Sequence, residues 1–214
     1  LRRGAPRRRL PYSFGDTLRR ASLMGFSVTW VAVREENAQE LLENLALSPT
    51  GETEEFPESL ISSAKLDTGW RVIWYNKYGC PFLQPDKLRD LSKGHDLLMC
   101  LVEEHVMASS SELWSSGKRL WWISHEGEDG PKGLSSDGAL PECFDAIRNE
   151  LEEAQRADGG ADAEVDHIFD VPLRVAKELV GFKHDEDCPG MKEGRFAVLS
   201  RATPSKGFFG RLFK

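Results

Sequence analysis

The chain has 214 residues, 40% hydrophobic and 29% charged, with six Trp and eleven Phe. This is a mixture that folds around one sizeable core and excludes a wholly disordered or fibrous protein. The net charge of −7 is unevenly placed, because residues 1–23 carry seven Arg against Asp16 alone; subtracting this +6 from the total leaves −13 on residues 24–214. So acidic a body disfavours nucleic acid, whose binding rests on Lys and Arg displacing counterions from phosphates.

Residues 1–23 lack a periodic apolar face and read as a disordered basic extension, with Met24 as the natural start. Arg19 and Arg20 before a mostly apolar stretch resemble a signal peptide, but Ser22, Ser27 and Thr29 interrupt that stretch and Arg34 and Glu35 end it. No apolar run approaches the roughly 18 residues of a membrane span. Residues 25–33 read better as a strand with Phe26, Val28, Trp30 and Ala32 on one face.

A short amphipathic helix is predicted over 36–47 from Ala38, Leu41, Leu42 and Leu45, ended by Pro49 and Gly51. Residues 52–58 are an acidic loop. Residues 69–75, rich in aromatic and β-branched side chains, are a strand. Pro85 opens a second short helix, with Leu88 and Leu91 turned inward and Gly94 stopping it.

The apolar run from Leu97 to Val102 has no clear period, and alone it leaves helix and strand open. Its neighbour across the serine-rich connector 108–117 is the segment RLWWISHE (119–126). The pair reads as a long antiparallel hairpin, with a third strand near 132–136. Helices follow over 141–157, with a stripe of Cys143, Ile147, Leu151 and Ala154, and over 172–180, capped by Gly181. A strand near 195–199 and a flexible tail over 202–214 complete the chain. The expectation is a single α+β domain over 24–201, with a mainly antiparallel sheet of roughly five or six strands and about four helices largely on one face.

Strand parity in the expected hairpin places Glu103, His105 and His125 on one side. Two imidazoles and a carboxylate can bind a divalent metal or act as an acid and base, and they can equally make structural or partner contacts. A second group, His184 to Cys188 with His167 and Asp170 upstream, has zinc-ligand chemistry but no zinc-ligand spacing. Trp114, Trp121 and Trp122 fall in the same hairpin, and adjacent Trp121 and Trp122 must point to opposite faces, so one is available as an interface anchor. The chain has no G-x-S-x-G elbow and no phosphate-binding glycine loop. Cys80, Cys100, Cys143 and Cys188 lie far apart and read as buried thiols in a reducing compartment. The sequence therefore assigns no catalytic residue, metal or cofactor.

The runs EEHVMASSSELW (103–114), GKRLWWISHEG (117–127) and ADAEVDHIFDVPLRVAKELVGFKHD (161–185) resemble a family of uncharacterised bacterial proteins that begin like MGFSVTWVAVR, which stands here at 24–34. The resemblance spans Met24 to about residue 187 and implies a bacterial cytoplasmic setting, with no activity attached. An aromatic sheet flanked by helices also looks like the immunity proteins of toxin systems in architecture. The leading expectation is a non-enzymatic protein-binding module, an immunity or accessory factor. It would hold a protein partner, of basic character to suit the acidic body, through Trp114, Trp121, Trp122, Glu103, His105 and His125. The competing expectation is a small metal-dependent enzyme using Glu103, His105 and His125.

Overall fold

A computed structural model of the chain describes residues 25–81, 83–186 and 196–201. The basic segment 1–23, Cys188 and the tail 202–214 lie outside the described residues.

The central strand is β1 (Ser27–Arg34), where alternation sends Val28, Trp30 and Ala32 to one face and Val31 and Val33 to the other. Glu35–Asn37 makes a 3₁₀ turn into helix α1 (Ala38–Asn44), which buries Ala38, Leu41 and Leu42. Ala46, at φ +55°, turns the chain into β2 (Leu47–Glu54), so the helix is shorter than its apolar spacing predicts. Pro49 and Gly51 sit inside this strand rather than in a loop. They are tolerated because β2 is an edge strand whose register breaks between Pro49 and Thr53.

Then follow β3 (Ile61–Lys65), β4 (Trp70–Tyr75), α2 (Pro85–Leu91), β5 (Asp96–Glu103), β6 (Ala108–Ser115), β7 (Lys118–His125), β8 (Leu134–Gly138), α3 (Phe144–Ala157), α4 (Asp170–Val180) and β9 (Phe196–Arg201). The nine strands of the described residues form one antiparallel sheet in the order β2-β9-β3-β4-β1-β5-β6-β7-β8. The α+β class and antiparallel character match the sequence reading, and the strand count of five or six does not. The missing strands are β2, β3 and β6, all poor in β-branched and aromatic residues.

The helices do not gather on one face either. α3 and α4 cover the front, against Trp30, Val72, Trp74, Leu98, Cys100, Val102, Trp121 and Ile123. α1 and α2 cover part of the back, against Val31, Val33, Ile73, Leu97, Met99 and Trp114. A sheet this wide has two apolar faces to bury, which two short and two longer helices divide between them.

The largest correction concerns β6. The serine-rich stretch is a strand, so β5 and the segment carrying Trp121 are not neighbours; β6 lies between them and pairs with both. Ser109 and Ser111 are buried on the front, where their small side chains admit α4 closely, and the Ser109 hydroxyl donates to the Phe169 carbonyl at 2.6 Å. Ser109 thus satisfies its hydroxyl on the segment that enters α4, while Ser111 contributes only its small size.

Candidate partner-binding face

Glu103, His105 and His125, which parity in a two-strand hairpin would group together, are separated by the intervening strand. Val102, Ser109 and His125 are register partners in one cross-strand row on the front. Glu103 is one residue further along β5 and therefore belongs to the back. His105 sits in the 3₁₀ turn Glu104–Val106 after β5, where its Nδ1 lies 2.6 Å from Glu103 Oε1. The Ser27 hydroxyl donates to Glu103 Oε2 at 2.5 Å. Burial pushes the Glu103 carboxyl upward, but these hydrogen bonds and the His105 charge outweigh it and hold the group below its ordinary value. Glu103 is thus a fixed anion at the rim of the back face.

His125 is fully buried, with Nε2 2.8 Å from Asp166 Oδ2. The other Asp166 oxygen accepts from the Ile168 backbone at 3.0 Å, capping the 3₁₀ turn that leads into α4. His125 therefore fastens the start of the α4 region to β7, on the opposite face from the Glu103–His105 pair.

His184 fastens the other end of α4. Its Nε2 lies 2.9 Å from Glu104 Oε1, whose partner oxygen accepts from the Phe26 backbone at 2.8 Å. Beside it, Phe182 stands edge-on to Trp30 and Trp74, and the Lys183 ammonium lies 2.8 Å from Asp185 and 3.3 Å from Asp170. Burial lowers the Lys183 value, but the two carboxylates more than reverse this and hold it raised. Of the run His184 to Cys188, whose composition resembles a zinc site, the described residues 184–186 belong to this ion-paired latch. His167 is elsewhere, 2.6 Å from Asp158. Among the described residues no group of three or more His, Cys, Asp or Glu is placed to hold a metal ion. Burial raises the Cys100 thiol far above its ordinary value, which leaves it inert as a nucleophile.

The three tryptophans separate as parity requires. Trp121 is buried on the front and Trp114 on the back under the α2 cluster, whereas Trp122 is half-buried on the back. Of the described helices, α4 packs substantially on β6 and β7, and it does so from the front. The back of β5–β8 consequently presents Leu101, Ser110, Trp122 and Ser124 as a half-buried platform, with Glu103, Glu112 and Asp137 around it and Arg119 at its margin.

At one end of the platform stand two exposed apolar side chains that the sequence reading passes over, Tyr78 and Val106, with exposures of 47% and 59%. Burial, followed by the charges of Glu126 and Glu103, raises the Tyr78 phenol above its ordinary value. No local pattern marks these residues; only the fold brings Tyr78 to the β5–β6 end.

A separate pocket of about 510 Å³ lies between the 127–132 turn and the C-terminal end of α3, lined in part by Lys132, Glu152, Gln155, Arg156 and Ile168. Its buried Gln155 is already engaged, donating to the Gly160 carbonyl and accepting from the His167 backbone. No described helix is long and apolar enough to cross a membrane. Comparison of the chain with models of protein families, with curated proteins and with solved structures gives no match.

Proposed function

We propose that this protein is a non-enzymatic binding module of the bacterial cytoplasm, an immunity or accessory factor, that holds a protein partner on the back of β5–β8. The observation that carries the reading is Trp122, a half-buried indole on a part of the sheet surface that no described helix covers, while its neighbours Trp114 and Trp121 are buried. Tryptophan and tyrosine on a rigid surface are the residue types that dominate binding energy at interfaces. Three carboxylates against one guanidinium on the platform, on a body of net charge −13, favour a partner that presents basic residues and disfavour nucleic acid.

Affinity capture from a bacterial lysate with the full chain and with Trp122→Ala tests this. A basic protein retained by the former and lost by the latter, at unchanged melting temperature, is the expected result. Equal retention by both proteins overturns the assignment of this face.

A further inference from the structure

We infer that the cross-strand row Glu112–Trp122–Asp137 is a cradle for a guanidinium group of the partner, and that Arg119 of this chain occupies half of it in the free protein. The inference rests on the reading of this face as a partner surface. Glu112 pairs with Trp122 across β6 and β7, and Trp122 pairs with Asp137 across β7 and β8. Directly opposed residues share a face with their Cβ atoms roughly 4.5–5.5 Å apart. The indole therefore has a carboxylate on each side, an arrangement that offers a cation a ring to stack on and oxygens to bond.

Arg119 shows which cation fits. Its Nη1 lies 3.2 Å from Glu112 Oε2, and its Cζ is 5.7 Å from the centre of the Trp122 ring. It reaches this position because the β6–β7 register shifts between Leu113 and Trp114, which sets Arg119 opposite Trp114 in the row beside the cradle. The side chain stays 45% exposed, so the contact is a surface ion pair of little strength and is readily exchanged. On the other side of the ring, Asp137 has no cationic partner among the described residues. A planar guanidinium can stack on the indole and fork to a carboxylate, which an ammonium cannot do in the same geometry.

An incoming arginine must displace Arg119, which makes Arg119 a brake on binding although it lies within the binding face. Titration of the full chain with N-acetyl-L-argininamide, followed by NMR at the Trp122 indole N–H, is the test. The Arg119→Ala protein is expected to bind this probe roughly fivefold more tightly than the parent chain, and Glu112→Gln or Asp137→Asn in that background to cancel the gain. N-acetyl-L-lysinamide is expected to bind more weakly than the arginine probe. Unchanged or weaker binding by Arg119→Ala, or a response at indoles other than Trp122, overturns the cradle. A protein partner lost by Trp122→Ala but held equally by the parent chain and Arg119→Ala also overturns the cradle and leaves the partner surface standing. Probe binding as expected, with no partner that depends on Trp122, supports the cradle and sinks only the partner surface.

Discussion

On the front of β7, Trp121, Ile123 and His125 are exposed by 3% or less, whereas on its back Trp122 and Ser124 remain half-buried one residue away. The backbone, the twist and the neighbouring strands are common to both sides. What differs is the cover, since α4 lies over the front, fastened by Asp166 to His125 before it and by His184 to Glu104 after it. Burial is thus decided by an element some 50 residues distant, and the same residue type serves as core on one side and as surface on the other.

Paired substitutions are the most severe test of this contrast. Trp121→Ala is expected to destabilise the fold by about 3–5 kcal/mol, as removal of a buried aromatic does, while Trp122→Ala stays within about 0.5 kcal/mol. Urea denaturation of the two proteins checks it, and similar losses for both would mean the back of β7 is covered as well.

The fastening of α4 can be tested next. Lys183→Ala leaves Asp170 and Asp185 facing each other without their cation, and is expected to lose about 3 kcal/mol in the same measurement, with the Asp170→Asn, Lys183→Ala protein recovering part of it. A loss under about 0.5 kcal/mol would show that the packing of Phe182 and the His184–Glu104 contact hold this end without the lysine.

The smallest effect belongs to the rim of the back face. The Glu103 carboxyl is held below its ordinary value of 4.5, so its contribution is present above that pH and is lost as pH falls through the lowered folded value. Glu103→Gln is expected to cost about 1 kcal/mol at pH 7 and nothing in acid below the folded value, read as converging melting temperatures on acidification. A difference that persists unchanged in acid would remove the anchored carboxylate from the account.

Much of this architecture is legible in the residues. The aromatic and β-branched run at Trp70–Tyr75 declares a strand, Phe26, Val28, Trp30 and Ala32 declare one of the two buried faces of β1, and Gly181 at φ +83° ends α4 as its position implies. β6 is not legible, because Ser109 and Ser111 belong in a strand only once α4 is known to press on them. Ser62 and Ser63 in β3 are likewise buried, on opposite faces of the sheet, with nothing in their local pattern to announce it. The adjacent Trp121 and Trp122 announce a two-sided strand, and parity fixes their opposition. Which of them meets water depends on helix placement, which no local spacing encodes. Of the three residues that strand parity groups, Glu103 and His105 do meet, within one turn, whereas His125 finds its carboxylate by tertiary approach across 41 positions, as His184 does across 80, and no local spacing encodes either.

β9 lies between β2 and β3, so neither of those strands can find its full set of backbone partners until residues 196–201 have been synthesised. During translation the sheet therefore has a raw margin at β3 with β2 detached beyond it, and unpaired strand margins are templates for aggregation. Closing this wing joins segments separated by about 150 positions, a non-local pairing whose loop-closure cost slows it relative to the hairpins β5–β6 and β6–β7. Chains released before that point would keep the platform on β5–β8 while exposing a sticky margin at the opposite end of the molecule.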